Sequence, residues 1–317
     1  MVGTPLPHVE SESMPESPMS ASPYDVLGVA ASATHDELRR AFRKALRETH
    51  PDTGGDPGRF NAVQRAWDHV STTEKRAAYD AGRGIHSDRH EPFTTHAARA
   101  RQDTRPKARS HGHPGGWRRE RFLSQLREWA GRGVEIADPY DPAFVRTAPR
   151  EIRHTLADAL AEESTARTLS GLGIGYTVWH DVSTGDPESK IDHVVLGPSG
   201  LFAMLSEDFG GPVRVRKGEL IGEALVGERP LHELATRAKV LSRQLRVRFT
   251  GLVVVLPDDA LDEPMIQLGS VRGAASIAVT QSYLAMLLRQ GIPGSALIGG
   301  NELFDVRTRV GDGVRFV

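Results

Sequence analysis

A proline that separates two runs of helical period constrains this chain more than any other feature. His50 precedes Pro51, and the pyrrolidine ring excludes residue 50 from the helical region, so the first run must end there. At the start of that run, Thr34 and Glu37 have the spacing of a capping box. After the proline, Asp56 is a suitable N-cap for a second helix. The sequence therefore predicts a helix, a tight loop with this proline at its tip, and another helix.

Each predicted helix carries one apolar face. The apolar positions of both helices recur at spacings of three and four: Leu38, Ala41, Phe42, Ala45 and Leu46, then Phe60, Val63, Trp67 and Val70. Because the connection is short, we expect the two helices to be antiparallel neighbours that pack along these faces. The remaining surface of the first helix is basic and carries Arg39, Arg40, Arg43, Lys44 and Arg47.

Residues 22–84 resemble a J-domain, the module of DnaJ-type co-chaperones. The resemblance rests on Pro23-Tyr24-Asp25-Val26-Leu27-Gly28-Val29, on Ala41-Phe42-Arg43-Lys44 where the family usually has a tyrosine, on His50-Pro51-Asp52, and on Lys75-Arg76 before Tyr79-Asp80. It implies an all-α helical hairpin bundle that stimulates ATP hydrolysis by a heat-shock chaperone of the DnaK class.

The resemblance also implies which residues bind that partner. His50, Pro51 and Asp52 form a short, rigid contact surface that needs little ordering and is not catalytic. The five basic residues of the first helix would steer the domain toward an acidic patch. The alternative interpretation is that the basic residues are only a solvated face and that His50 is only a turn residue.

Length and composition bound the rest of the chain. With 317 residues there is room for a second domain, and a formal net charge of -1 gives no overall basic character that would indicate nucleic-acid binding. The chain has no cysteine, which excludes disulfides and thiolate metal sites. Residues 1–21 have neither the basic start nor the apolar centre of a signal peptide and are predicted to be a disordered tail. We expect a soluble, cytoplasmic protein without a membrane span.

Residues 85–150 are predicted to be a basic, flexible linker with one amphipathic helix at about 117–132. Its arginines and histidines could contact nucleic acid or bind a metal, but the histidines lack the spacing of a metal site, so a simple tether is favoured. The helix has the composition of one that lies on an anionic membrane or docks in a groove. Because it is short, we expect it to pack on the second domain.

Residues 151–317 have the pattern of an α/β domain with a mixed sheet. Helices are predicted at 153–172, 230–245 and about 283–288, and strands at 176–179, 191–196, 201–205, 213–215, 252–256 and 276–280. Pro198-Ser199-Gly200 predicts a hairpin turn. His180-Asp181 resembles a general base and its orienting acid, but no serine or cysteine nucleophile is evident beside it, so this pair is interpreted as a strand end.

Residues 161–257 are similar to the nuclease-related domain called NERD, which has a restriction-endonuclease-like fold. The similarity rests on Ile191-Asp192-His193-Val194-Val195 and Gly197-Pro198-Ser199-Gly200-Leu201-Phe202. It implies a site in which carboxylates hold Mg²⁺ and a lysine activates water. Glu162 and Asp192 match the family's helix glutamate and strand aspartate, but its Glu-x-Lys pair falls on Leu205 and Glu207.

This departure predicts an inactive site. One metal ligand has become a leucine and the cationic residue has become a carboxylate, and no lysine is expected nearby. We therefore expect no cofactor and assign no metal ligands, except that Mg²⁺ would bind if Glu162, Asp192 and Glu207 formed a rearranged site.

Three functions follow from these patterns. The favoured one is a co-chaperone that recruits a DnaK-class ATPase, with an inactive nuclease-like domain that binds an unidentified client protein or nucleic acid. The second is a metal-dependent nuclease with a rearranged site, coupled to chaperones. The third is a nucleic-acid-binding protein that uses the linker and a basic cluster formed by Arg237, Lys239, Arg243, Arg246 and Arg248.

Overall fold

The computed structural model describes residues 17–19, 21–49, 57–82, 106–186, 189–222, 225, 227–271, 273–293, 295 and 297–317. Most of the predicted tail, residues 85–105 of the predicted linker and the His50-Pro51-Asp52 tripeptide lie outside these ranges. Within them, none of the helices combines the length and the apolar character needed to cross a bilayer.

The N-terminal domain is helical in its described part. Its helices are α1 (Pro23–Leu27), α2 (His35–Thr49), α3 (Pro57–Val70) and α4 (Thr73–Gly82). The predicted capping box is confirmed at the start of α2, where the Thr34 amide donates to Glu37 Oε2 at 2.7 Å and the Glu37 amide donates to Thr34 Oγ1 at 3.4 Å. A second capping box, between Ser22 and Asp25, starts α1.

The predicted apolar faces form the core of this domain. Leu38, Val63 and Val70 are buried, and the rings of Phe42 and Trp67 stack with their centroids 4.5 Å apart. Buried Tyr24 joins the first helix to the last, because its hydroxyl donates to Asp80 Oδ1 at 2.9 Å. The contacts between α2 and α3 thus follow the faces that the residue spacing predicts.

The C-terminal domain, residues 106–317, is built on a seven-stranded mixed sheet. Its strands are β1 (Arg109–His111), β2 (Thr177–Val182), β3 (Ile191–Gly197), β4 (Gly200–Ser206), β7 (Gly251–Leu256), β8 (Met265–Val271) and β9 (Ala274–Thr280). The order across the sheet is β1-β2-β3-β4-β7-β9-β8, and β5 (Arg214–Arg216) with β6 (Glu219–Ile221) forms a separate two-stranded sheet. The helices are α5 (Gly116–Ala130), α6 (Pro142–Thr147), α7 (Arg150–Ser170), α8 (Pro230–Leu245), α9 (Leu284–Gln290) and α10 (Gly300–Gly313).

Two apolar clusters cover the sheet. One includes Leu201, Leu205 and Leu252 of the sheet with Leu234 of α8, and the other joins alternate strand residues, such as Phe202, to α7 and α9. The predicted hairpin turn is confirmed, since Gly197 and Gly200 are paired at the end of the β3–β4 ladder. The α/β fold with a mixed sheet is therefore as predicted.

The prediction of a linker over residues 85–150 is wrong for its described part. β1 pairs in parallel with β2, from Arg109 opposite Thr177 to His111 opposite Trp179, and so extends the sheet. α5 packs against α7 through a cluster that includes Phe122, Leu126 and Val145. The expectation that the amphipathic helix packs on the second domain is confirmed. The residues before this helix include few apolar side chains, and composition alone therefore predicts a tether there.

A buried carboxylate cluster as the candidate functional site

Three of the four positions assigned from the nuclease resemblance come together. Glu162 lies on α7, Asp192 lies on β3 and Glu207 follows β4, and all three are buried. Leu205, the fourth, points into the apolar cluster that packs against α8 and makes no part of the carboxylate group. The β4 strand therefore contributes hydrocarbon where the resemblance implies a metal ligand.

A lysine occupies the centre of this cluster, so the expectation that none lies nearby is wrong. Lys190 Nζ is 2.7 Å from Glu162 Oε1, 2.7 Å from Asp181 Oδ1 and 2.8 Å from Asp192 Oδ1, and its side chain is 2% exposed. Lys190 immediately precedes β3 and Asp192 is the second residue of that strand, so the spacing of two residues places both side chains on the same side. This spacing is the sequence signal that could have identified the lysine.

A second cation enters the cluster from α5. Arg118 Nε lies 2.6 Å from Glu162 Oε1, Nη1 lies 2.5 Å from Asp158 Oδ2, and Nη2 lies 3.4 Å from Glu207 Oε1. The amide of Gly115, just before this helix, donates to Glu162 Oε2 at 3.1 Å. No local sequence pattern pairs Arg118 with carboxylates on α7 and after β4, because these contacts arise only from the tertiary fold.

The carboxylates have unusual acidities. Burial raises the pKa of Glu162 to about 8, and it also raises the pKa values of Asp158 and Glu207. Burial opposes ionisation of Asp192 as well, but Lys190 and Arg118 outweigh it and hold the pKa of that carboxyl well below its usual range. Carboxylates and cations of the chain itself thus form one coupled group.

The residues present do not fit the Mg²⁺ site of the nuclease family. Mg²⁺ would need the oxygens of Glu162 and Asp192, and both bind the Lys190 ammonium. The second oxygen of Asp192 accepts the Ser206 amide at 2.9 Å. With a buried leucine at position 205 and an ammonium between the two matched acids, this position binds an internal cation instead of a metal ion.

Ser110 lies beside His180, so the expectation that no serine nucleophile lies next to this histidine is wrong. Ser110 Oγ is 2.9 Å from His180 Nε2, and His180 Nδ1 is 2.7 Å from Nδ1 of His193. Asp181 does not orient the ring, because its carboxylate contacts Lys190. Burial lowers the pKa of His180 to about 4, so the imidazole is neutral at pH 7 and joins β1, β2 and β3 by hydrogen bonds.

The basic residues assigned to partner binding lie on one helix of the N-terminal domain. The structure places all of them on α2 with exposed side chains: Arg39, Arg40, Arg43, Lys44 and Arg47. Lys44 Nζ lies 4.0 Å from Glu48, and this contact is open to solvent. Of the cluster on α8 and after it, Arg243, Arg246 and Arg248 are exposed, whereas Arg237 pairs with Glu233 at 2.9 Å.

Comparison with known proteins identifies two regions of the chain. Residues 22–80 match the family model described as "DnaJ domain", and residues 157–256 match the model described as "Nuclease-related domain". Both resemblances drawn from the residues are therefore confirmed. The first covers α1 to α3 and most of α4, and the second covers Glu162, Asp192 and Glu207.

Among curated proteins, the similarity is to DnaJ chaperones. A 78-residue region is 44% identical to chaperone protein dnaJ A6 of Oryza sativa, covering 22% of this chain and 19% of that protein. A 57-residue region is 46% identical to a DnaJ protein homolog of Cucumis sativus, covering 18% and 14%. A 65-residue region is 43% identical to chaperone protein DnaJ of Synechococcus, covering 20% and 17%. The chain thus spans less than a fifth of the length of these relatives.

Proposed function

We propose that this protein is a co-chaperone that stimulates the ATPase of a DnaK-class chaperone through His50, Pro51 and Asp52. The observation that carries the proposal is the match of residues 22–80 to the DnaJ domain, which includes this intact tripeptide. The exposed basic face of α2 supports it, because clustered arginines accelerate association with an acidic surface.

The C-terminal domain serves, in this proposal, as a binding module for a client protein or nucleic acid and not as a nuclease. The Lys190 and Arg118 contacts support this role, since both cations bind the carboxylates that a catalytic metal would require. In this proposal the nuclease-like frame serves recognition without hydrolysis, because Lys190 binds the two acids that match the family's metal ligands. The chaperone would then act on whatever this module binds.

The test of the co-chaperone function measures ATP hydrolysis by a DnaK-class chaperone in the presence of the full chain. We expect His50→Gln to abolish stimulation while the circular dichroism spectrum stays unchanged. Arg43→Glu should slow association by about tenfold at low ionic strength and much less at high salt. The matched control is Arg65→Glu, the same charge change at an exposed position on α3. Unchanged stimulation by His50→Gln would remove the proposal.

The role of the C-terminal domain has a separate test. The full chain is incubated with plasmid DNA or RNA in the presence of Mg²⁺ or Mn²⁺, and we expect the nucleic acids to remain uncut. Cleavage that disappears in Asp192→Ala would show a functioning nuclease and contradict this part of the proposal. The intact chain is then used in an affinity capture, with an unrelated DnaJ-domain protein as the control. The protein or nucleic acid that binds only the intact chain identifies the class of ligand.

A further inference from the structure

A second group of possible metal ligands lies beside the carboxylate cluster. His154 and Asp158 are one helical turn apart on α7, and Glu207 approaches them from the end of β4. Each residue offers one ligand atom, and these three atoms lie within 4.8 Å of one another. This group shares only Glu207 with the positions implied by the nuclease resemblance, and it contains no residue bound to Lys190.

The imidazole of His154 places Nε2 near Asp158, and its Nδ1 atom lies 3.8 Å from Glu228 Oε1. Its Nε2 atom is buried and makes no hydrogen bond within the described residues. The carboxylate oxygen paired with it, Asp158 Oδ1, lies at 3.4 Å, which is longer than an ordinary hydrogen bond. A buried polar atom in this state is costly unless a further partner binds it.

The charges at this end of the cluster also leave room for a cation. Lys190 contacts Glu162, Asp181 and Asp192, so it does not neutralise Asp158 or Glu207. Those two acids share Arg118, whose guanidinium also binds Glu162. Arg118 contacts Asp158 through Oδ2, whereas Asp158 Oδ1 accepts the Asp208 amide at 3.2 Å and lies 3.4 Å from His154 Nε2. Asp158 and Glu207 therefore share one guanidinium, which also contacts Glu162 beside Lys190.

We propose that His154, Asp158 and Glu207 bind a divalent transition-metal ion, such as Zn²⁺. One imidazole with two carboxylates suits Zn²⁺ or Mn²⁺ better than Mg²⁺, which favours oxygen ligands alone. Bonds of about 2.0–2.2 Å would hold the ligand atoms about 3–4 Å apart, so modest side-chain rotations complete the site. The ion would fasten α7 to the end of β4, and it would satisfy the free imidazole nitrogen.

Isothermal titration of the full chain with ZnCl₂ at pH 7 tests this site. The chain has 13 histidines, and any accessible imidazole is a possible zinc ligand. The measured quantity is therefore the number of zinc equivalents that the substitution removes. We expect His154→Gln to remove one equivalent, or to weaken it at least tenfold, whereas the exposed His69→Gln on α3 should leave the titration unchanged. Free Zn²⁺ at 100 times its Kd should raise the Tm of the C-terminal domain by about 5 °C or more, but not in His154→Gln.

A second variant, Glu207→Gln, tests the same site independently. If His154→Gln does not fold, Glu207→Gln replaces it in the same titration, and loss of the same equivalent is expected. Zinc isotherms and Tm shifts identical between the wild type and a folded variant of either residue would overturn the site. Stimulation of a DnaK-class ATPase depends on the other domain, so failure of the metal site and failure of the co-chaperone proposal are distinguishable.

Discussion

The ammonium nitrogen of Lys190 lies 2.7 Å from Oε1 of Glu162, and both side chains are inaccessible to solvent. In the nuclease-related pattern this glutamate is a metal-site residue, and the lysine comes from the strand after the matched aspartate. Here the lysine comes from a position two residues before Asp192. A cation from the chain itself thus binds both of the acids that match the family's metal-site positions.

Replacing Lys190 with methionine should destabilise the C-terminal domain strongly. Lys190→Met keeps the length of the side chain but leaves Glu162, Asp181 and Asp192 buried without their shared cation. We expect a loss of about 3–5 kcal/mol in the free energy of unfolding. Urea titration followed by tryptophan fluorescence measures it, since Trp117, Trp129 and Trp179 lie in this domain.

Lys107→Met is the matched control for that experiment. Lys107 lies in the same C-terminal domain, and its side chain is exposed. The same substitution there should change stability by no more than about 0.5 kcal/mol. Equal effects at the two positions would mean that the buried ammonium does not hold the cluster together.

The stability of the C-terminal domain should fall as the pH rises from 7 to 9. The pKa of Glu162 is raised to about 8 in the folded protein, so the folded state binds more protons than the unfolded state in this range. This contribution is fully present only below the unfolded-state pKa of 4.5 and is lost progressively as the pH rises to the folded-state value of about 8. Its last part, about 1–1.5 kcal/mol for this one group, is lost between pH 7 and pH 9.

Urea titrations at pH 7 and pH 9 check this dependence, with Glu162→Gln as the comparison. The variant cannot lose a proton at position 162, so its stability should vary less with pH. The substitution also removes the carboxylate that contacts Lys190 and Arg118, which lowers its stability at both pH values. His180 and His193 do not disturb the comparison, because burial lowers both of their pKa values and keeps them neutral. An equally steep dependence in both proteins would contradict the assignment.

Alanine at Gly112 should disrupt the junction between β1 and β2. Gly112 has φ of +86°, and a Cβ atom there would overlap the carbonyl oxygen of His180 and approach the Phe316 ring. Gly131 has φ of +96° with nothing within 4 Å of the same position. Gly131→Ala should lower the free energy of unfolding by about 1–2 kcal/mol, through backbone strain alone. Gly112→Ala should lower it by at least about 2 kcal/mol more, because its Cβ atom also overlaps neighbouring atoms. Urea titration measures both values. Equal losses would show that the close approach is easily relieved.

Sequence periodicity predicted the elements that have their own local signals. The helix at 230–245 matches α8 at both ends, because Pro230 suits a helix start and its apolar residues recur with helical spacing. The strands around residues 194, 203 and 254 were predicted because β-branched and apolar residues form short, fully buried runs there. Three-residue β1 has no such signal, since all of its side chains are exposed and only backbone pairing defines it.

The candidate site was predicted only in part, because several of its residues meet only through tertiary contacts. Sequence comparison identified three site residues, because each one aligns with a position of the nuclease-related motif: Glu162, Asp192 and Glu207. Arg118 could not, because it lies 44 residues before Glu162 and reaches it only after α5 packs against α7. Ser110 and His180 are 70 residues apart and meet because β1 joins the sheet beside β2. These residues become neighbours through tertiary contacts that a linear pattern does not encode.

The pairing of β1 with β2 decides where this protein can be cut for experiments. A fragment that starts at residue 151 would keep the nuclease-like motif but would remove β1 and all of α5. It would expose the backbone groups of β2 to other molecules, which favours aggregation, and it would leave Glu162 without Arg118. Molecules that bind such a fragment could be binding the exposed edge of β2 and not the native surface. A fragment for affinity experiments should therefore begin before residue 106.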